Sequence, residues 1–196
     1  MRRVASTARY AAAVWLIVIG LSGARADGLS EPVMLVATSV MNGSAFEQTV
    51  VLAVPLPNGG HIGFIVNKPT SVSLAKLLPD AAAARKVTEP VYFGGTELLP
   101  GVFAITRRAP QGAVKVLPLM PGLVAAIDGA TVDRIMKAAP NDARYFVGLL
   151  LWGEDELEAE VRISAWELRP ADVATVLPTK ATGLWNSLRT LRGPTV

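Results

Sequence analysis

The chain has 196 residues, 51% of them hydrophobic, and no cysteine. The absence of cysteine excludes disulfides, a lipoprotein cysteine, thiol catalysis and thiolate metal sites. Fifteen of the 19 Lys and Arg residues and all 16 acidic residues follow Ala26, so the chain beyond Ala26 carries a formal charge of −1. It has no basic run of the kind that neutralises phosphates, and we therefore expect no nucleic acid among its partners.

Residues 1–26 have the three regions of an export signal. Arg2, Arg3 and Arg9 are basic, Ala11 to Leu21 is an unbroken run of apolar residues and Gly, and Ala24-Arg25-Ala26 is a small-x-small cleavage site. A spanning helix needs roughly 18 apolar residues, more than this run offers. We therefore predict a cleaved signal peptide and no stable membrane span after cleavage.

Cleavage after Ala26, before Asp27, would release residues 27–196. This length is typical of one domain with a sizeable core. We predict a single exported domain, located in the periplasm, with the export route left open. Translation from Met34 would instead give a cytoplasmic protein without the leader.

The rest of the chain alternates between short strand-like and short helical runs. Strands are predicted at Val33–Thr38, Thr49–Val54, Ile62–Asn67, Val91–Phe93, Val102–Thr106, Val114–Leu117 and Tyr145–Leu151. Helices are predicted over Leu74–Leu78, capped by Ser71 or Ser73, over Thr131–Ala139, from Pro170 through Leu177, and along Leu184, Trp185, Leu188 and Leu191. Asn58-Gly59-Gly60 predicts a hairpin between the second and third strands. This mixture lacks regular βαβ alternation, which favours an α+β fold.

A segment near the end alternates strictly between apolar and charged residues. Its apolar positions are Leu157, Ala159, Val161 and Ile163, and its charged positions are Glu156, Glu158, Glu160 and Arg162. The period of two predicts a half-buried strand with an acidic row on its exposed face. Such a row could offer oxygen ligands to calcium or magnesium, but a straight row does not surround an ion as a loop does. A solvated face that discourages edge aggregation is favoured, and we expect no metal and no cofactor.

The sequence contains no P-loop, no dinucleotide fingerprint and no GxSxG elbow. His61 is the only histidine, so any histidine-based site would have to include it. Beside Asn58-Gly59-Gly60 it is more typical of a turn or strand edge than of a general base. Trp152, Trp166 and Trp185 lie in apolar patterns that favour core packing over a ligand pocket. We predict no catalytic residue.

Several motifs follow one another in a specific order. They are Met34-Leu35-Val36-Ala37, Phe46 before Thr49-Val50-Val51, Gly63-Phe64-Ile65-Val66-Asn67-Lys68-Pro69, Val91-Tyr92-Phe93-Gly94-Gly95, Gly148, Trp152-Gly153, Glu156-Leu157-Glu158-Ala159-Glu160, Trp166 and Trp185. Their order and spacing resemble the YqgE/AlgH family of largely uncharacterised bacterial proteins. The likeness is sharpest over residues 63–69 and covers nearly all of residues 27–196.

The chain also departs from that family inside the motifs. Ser44-Ala45 replaces Asp-Pro, Thr96 replaces Pro, Leu150-Leu151 replaces two small residues, and Glu156 replaces Gln. Most relatives also lack an export signal, so the chain resembles a divergent branch. The resemblance implies a single compact α+β domain with a strongly bent mixed or antiparallel sheet and short flanking helices, and it brings no established catalytic residues. Some relatives are labelled transcriptional regulators, but export, the charge of −1 and the lack of a recognition-helix pattern argue against that role here.

Two functional hypotheses remain. The preferred one is a non-enzymatic exported binding or interaction module that recognises an unknown envelope protein or small ligand. Its candidate surface consists of Asn67, Lys68, Pro69, Gly94, Gly95, Glu158 and Glu160. It predicts that Asn67→Ala or Glu158→Ala loses partner capture without a change in melting temperature. The alternative is a hydrolase that uses His61 or the Glu158/Glu160 pair, provided that burial separates the two glutamate pKa values.

Overall fold

The computed structural model describes residues 29–109, 111–112 and 115–190. The predicted signal peptide, its cleavage site and the predicted helical residue Leu191 lie outside the described residues. Val114, the predicted start of a strand, also lies outside them.

Ten strands and five helices make up the described fold. The strands are β1 Val33–Ala37, β2 Val50–Pro55, β3 His61–Ile65, β4 Pro69–Ser73, β5 Pro90–Phe93, β6 Glu97–Thr106, β7 Val116–Met120, β8 Leu123–Ala126, β9 Ala143–Trp152 and β10 Trp166–Pro170. The helices are α1 Leu74–Leu77, α2 Gly129–Ala138, α3 Glu156–Arg162, α4 Val173–Val176 and α5 Leu184–Thr190, with short 3-10 turns at Ser39–Met41 and Ala82–Lys86.

The strands form one sheet in the order β10-β1-β2-β3-β9-β6-β8-β7, and β4 and β5 branch from β9. All pairings are antiparallel except that of β5 with β9. The predicted hairpin between β2 and β3 is confirmed, since Pro55 pairs with His61 and the Leu56 N–H donates to the Gly60 carbonyl at 2.8 Å. A single curled sheet with helices packed against it confirms the α+β class.

Strand β9 connects the two halves of the sheet. Its first half pairs with β5 and β6, whereas Leu150 to Trp152 pair with β3. The change of partner follows Gly148, whose φ of 68° is in the left-handed region that favours glycine. The sheet therefore bends within one strand.

Apolar side chains pack on both sides of the bent sheet. One cluster lies around Phe64, Phe103 and Phe146 and is closed by residues of α4 and α5. A second lies between the β1-β2-β3 region and α3, and a third lies where α1 and α2 pack on β6 and β9. Strands β1, β2 and β3 are almost entirely buried, so the predicted long apolar runs correspond to central strands.

The prediction of an acidic strand at residues 156–163 is wrong, because Glu156–Arg162 is helix α3. Leu157 and Val161, four residues apart, face the core, whereas Ile163 is 65% exposed. Oε2 of Glu156 accepts the Gly153 N–H at 2.7 Å at the start of the helix. Glutamates in the first turn also favour a helix through its dipole, and these interactions override the alternating pattern.

Other boundaries also differ from the sequence predictions. Pro170 ends β10 and does not begin a helix, and α4 begins after Asp172, whose Oδ1 accepts the Thr175 N–H at 2.9 Å. The sequence predictions did not include β4, β8 or β10 as strands. No helix among the described residues is long and apolar enough to cross a membrane.

Candidate functional site

The carboxylate of Glu160 joins three elements of the fold. Its Oε2 accepts the indole N–H of Trp166 at 2.6 Å and that of Trp152 at 3.2 Å. Trp152 ends β9, Trp166 begins β10, and Glu160 lies on α3. Buried indole N–H groups need an acceptor, and a carboxylate is a strong one. The arrangement therefore fixes both indoles and the helix relative to the sheet.

The ring of Trp152 fits only because its neighbour on β3 has no side chain. A Cβ added to Gly63 would lie 2.6 Å from Cζ3 of Trp152. Trp152 and Trp166 are only 8% and 4% exposed, so the prediction that they pack in the core is confirmed. Trp185 is half-buried and donates its indole N–H to the Ala37 carbonyl at 2.8 Å, which attaches α5 to the end of β1.

A cleft of about 410 Å³ opens beside these two indoles. Its walls are Phe46, Thr96, Glu97, Leu150, Leu151, Trp152, Glu156, Ala159, Glu160 and Trp166. The rings of Phe46 and Trp166 are edge-to-face with centroids 6.3 Å apart. The lining thus combines three aromatic residues with three carboxylates and contains no basic residue.

The three carboxylates differ in the hydrogen bonds that they accept. Glu160 uses Oε2 for the indoles and Glu156 uses Oε2 for the Gly153 N–H. Glu97 is exposed, with only a 3.4 Å contact from the Thr96 hydroxyl. Within the described part of the chain, the other oxygens of Glu156 and Glu160 have no hydrogen-bond donor. Like charges held together without a counterion produce a strongly negative local potential.

Asn67 does not line this cleft but fixes the loop that carries one of its walls. Its Oδ1 accepts the Val50 N–H at 2.8 Å, and its Nδ2 donates to the Gln48 carbonyl at 2.9 Å. These bonds close the loop that carries Phe46 into the cleft. Asn67 therefore has a structural role, and its two bonding groups are already satisfied.

The neighbouring candidates Lys68 and Pro69 lie on the same connection between β3 and β4. The Lys68 carbonyl accepts the Phe93 N–H at 2.9 Å, and the exposed Pro69 pairs with Tyr92 in β5. Neither residue lines the cleft beside Glu160, which is called the acidic cleft below. They fix the path of the chain beside it.

Gly94 and Gly95 are buried, so the prediction that they present a binding surface is wrong. A Cβ on Gly94 would lie 2.3 Å from the Gly148 carbonyl oxygen, and one on Gly95 would lie 2.2 Å from that of Leu149. Both glycines let the chain between β5 and β6 pass β9 at backbone contact distance, a close approach that a side chain would prevent. They deliver Thr96 and Glu97 into the cleft wall.

The predicted Glu158/Glu160 pair does not exist as a pair. On a strand the two side chains would share a face, but residues two apart on a helix point about 160° apart. Only Glu160 lines the cleft, and Oε2 of Glu158 is a buried oxygen without a donor. The sequence analysis paired Glu160 with Glu158, whereas the structure places Glu160 in one cleft with Phe46 and Glu97, which the sequence analysis did not associate with it.

His61 lies at the first position of β3 and is 3% exposed. Its Nε2 hydrogen-bonds to the Leu29 carbonyl at 3.0 Å, and its Nδ1 is buried without a partner. A substrate could not reach this ring without displacing the segment around Leu29. Among the described residues, no three His, Asp or Glu side chains are arranged to hold a metal ion.

Comparison with known proteins identifies the family of the chain. The model of the AlgH-like family matches residues 34–195. The chain belongs to the AlgH-like family. This confirms the resemblance that the ordered motifs indicated.

AlgH-like relatives occur in distant bacteria. A UPF0301 protein of Streptomyces coelicolor is 30% identical over 172 residues, which cover 82% of this chain and 86% of that protein. A UPF0301 protein of Ruegeria pomeroyi is 29% identical over 171 residues, covering 82% and 90%. The matches extend through most of both proteins, so the family domain is represented nearly whole.

Two solved structures share this AlgH-like fold. The solution structure of the AlgH protein from Pseudomonas aeruginosa has a TM-score of 0.69 at 22% identity and covers 91% of this chain and 94% of its own. The crystal structure of a Corynebacterium diphtheriae protein has a TM-score of 0.64 at 22% identity, with 84% and 88% coverage. At these identities the comparison shows the fold alone.

Proposed function

We propose that the protein is an exported, non-enzymatic binding module that captures an arginine side chain of an envelope protein in the cleft beside Glu160. The observation that carries this proposal is the lining of that cleft: three carboxylates, three aromatic residues and no basic residue. A cationic group is the chemical complement of such a lining.

An arginine fits this lining better than a lysine. Its planar guanidinium can bond a carboxylate through two parallel N–H groups and can also stack on aromatic rings. The free oxygens of Glu156 and Glu160, four residues apart on one side of α3, are available for such bonds. Phe46 and the exposed part of Leu151 provide apolar surface for the aliphatic stem.

The indoles make the cleft rigid before a partner arrives. Two N–H bonds hold the Glu160 carboxylate in one orientation, so little side-chain freedom is lost on binding. Asn67 similarly fixes the loop that carries Phe46. Asn67, Gly94 and Gly95 thus contribute to the shape of the cleft without touching a ligand.

The hydrolase alternative receives less support. His61 is buried against the Leu29 carbonyl, and Glu158 and Glu160 project to different sides of α3. General acid–base catalysis needs two groups that can reach one substrate, and this geometry separates them. Binding, which needs only Glu160 and its cleft neighbours, requires no such convergence.

Export is a separate part of the proposal, and it rests on residues 1–26. The direct test is the N-terminal residue and cell fraction of the natively expressed protein, by mass spectrometry of separated periplasm, membrane and cytoplasm. A chain that starts at Asp27 outside the cytoplasm supports export. A cytoplasmic chain that starts at Met1 or Met34 would refute it and would reopen the regulator hypothesis.

Capture of arginine is tested by calorimetric titration with a blocked Gly-Arg-Gly peptide and its neutral citrulline counterpart. We expect binding of the arginine peptide only, weakened about tenfold by Glu160→Gln and by Glu97→Gln/Glu156→Gln. Gln at position 160 keeps an acceptor for the indoles, so the fold should persist. Glu31→Gln, an exposed change outside the cleft, is the control and should bind normally. Equal affinity for both peptides, or equal loss in the control, would refute the proposal.

A further inference from the structure

A second cleft has three arginines in its lining, whereas the acidic cleft beside Glu160 has no basic residue. It has a volume of about 640 Å³ and lies where the end of β6, the turn after α2 and the start of β9 meet. Thr106, the last residue of β6, pairs with Ala143, so Arg107 and Arg108 emerge beside Arg144. All three arginines line this cleft. No cleft-lining residue here is shared with the acidic cleft.

Arg144 is an unusual residue for its position. It is 6% exposed, yet it occupies a central strand and carries a charge. Its Nε donates to Oε2 of Glu89 at 3.1 Å, and its Nη2 donates to the Pro178 carbonyl at 2.9 Å. Its guanidinium carbon lies 4.4 Å from the ring centroid of Tyr92. Burial raises the pKa of the Tyr92 phenol, so the ring beneath the guanidinium stays neutral.

One nitrogen of Arg144 remains without a partner. Nη1 is buried and has no hydrogen-bond acceptor. Leaving a charged donor unsatisfied in the interior is costly, and buried guanidinium groups normally bond through all their edges. Glu89 makes only a single contact with Nε, and its side chain is 49% exposed, so the Arg144 charge is incompletely compensated.

The other charges around the cleft leave two free cations. Arg107 and Arg108 are exposed and make no ion pair among the described residues. Two carboxylates also line the cleft: Glu89, which is paired with Arg144, and Asp142, whose charge partly offsets that of the two exposed arginines. The Thr106 hydroxyl already donates to the Asp142 carbonyl, and Nδ2 of Asn141 donates to the Lys86 carbonyl.

We infer that this cleft binds a small phosphomonoester. The phosphate would bond the guanidinium groups of Arg107 and Arg108 and supply the acceptor that Arg144 lacks, partly in place of Glu89. A phosphate offers three terminal oxygens in a tetrahedral arrangement, whereas a carboxylate offers two in one plane, so three guanidinium groups favour the former. Ile135, Ala138 and Leu177 form an apolar wall for the organic part of the ligand.

The probe for this site is phenyl phosphate, with benzoate as the carboxylate counterpart, in calorimetric titrations of the purified protein. We expect phenyl phosphate to bind about tenfold more tightly than benzoate, and Arg107→Gln/Arg108→Gln to lose about tenfold in affinity. Arg162→Gln, an exposed change on α3, is the matched control and should bind normally.

Glu89→Gln separates binding from a purely structural role. Gln keeps an acceptor for Nε of Arg144 but removes the carboxylate that competes with the ligand, so phenyl phosphate should bind several-fold more tightly. Failure of phenyl phosphate to bind, equal affinity for benzoate, equal loss in Arg162→Gln, or weaker binding by Glu89→Gln would each overturn the inference. Because these variants lie outside the acidic cleft, the result is independent of the arginine proposal.

Discussion

The indole N–H of Trp166 donates to Oε2 of Glu160 at 2.6 Å, and the same oxygen accepts the indole N–H of Trp152. One carboxylate therefore connects the start of β10, the end of β9 and helix α3. The same contacts orient the acidic cleft, so stability and binding share a residue but can be separated by the choice of substitution.

Glu160→Ala should lower the free energy of unfolding by about 2 kcal/mol, because it leaves two buried indole N–H groups without an acceptor. Glu160→Gln should lose less than half as much, since its amide oxygen can still accept. Urea denaturation of both variants, with Glu31→Ala as the exposed control, measures the difference. Equal stability of Glu160→Ala and the parent would show that the indole bonds contribute nothing.

Asn67→Ala should destabilise the protein by about 2 kcal/mol, because the Val50 N–H and the Gln48 carbonyl both lose their partner. This replaces the sequence-based expectation that Asn67→Ala affects partner capture alone. The control is Asn186→Ala on the exposed face of α5, which should change stability by less than about 0.5 kcal/mol. An unchanged melting midpoint for Asn67→Ala would contradict its structural role and would restore Asn67 as a candidate binding residue.

Gly148→Ala should cost about 3 kcal/mol or more, because a Cβ would lie 2.2 Å from the Gly95 carbonyl oxygen and φ is 68°. Two controls separate the causes. Gly43→Ala has a similar φ of 76° in open space and should cost about 1 kcal/mol. Gly129→Ala, in open space without a positive φ, should be neutral or slightly stabilising. Similar thermal midpoints for Gly148→Ala and Gly43→Ala would remove the steric argument.

Stability should fall in acid partly through two helix caps. Hydrogen bonds from Thr131, and then from the Ala130 N–H, lower the pKa of Asp128, and those from Thr175 and the Ala174 N–H lower the pKa of Asp172. Because the folded-state pKa is the lower one, each carboxylate stabilises the fold above the unfolded value of about 4, and this is lost as the pH falls through the folded-state pKa.

Asp128→Asn/Asp172→Asn tests this pH dependence, since Asn can still cap a helix but does not titrate in this range. The unfolding free energy of the double variant should fall less steeply than that of the parent between about pH 5 and pH 2. Parallel curves for the two proteins would contradict the role of the caps.

The sequence predicted the central strands well because their apolar, β-branched runs leave few alternatives. Segment 156–163 was the main error, since its period of two is also compatible with a helix in which Leu157 and Val161 face the core. The deciding signals were local: the Glu156 bond to the Gly153 N–H and residues that favour helices. This error also changed the predicted site, because Glu158 and Glu160 share a face only on a strand.

Features that depend on contacts between residues far apart in the sequence could not be predicted from local sequence patterns. Gly95 and Gly148 are 53 residues apart in the sequence, yet their backbones touch. Phe46 and Glu97 reach the cleft through loops fixed by Asn67 and by Gly94-Gly95. Arg144 looks like an ordinary strand residue in the sequence, and only the fold shows that its guanidinium is buried beside Arg107 and Arg108.

The most direct test of the proposed binding function is the NMR spectrum of the indole N–H groups during titration with the blocked Gly-Arg-Gly peptide. We predict saturable shifts of the Trp152 and Trp166 resonances, which report on the Glu160 carboxylate, and none for Trp185, whose indole bonds to Ala37. The citrulline peptide should leave all three unchanged. Static Trp152 and Trp166 resonances at saturating arginine peptide, or shifts spread equally over all three indoles, would contradict binding at Glu160.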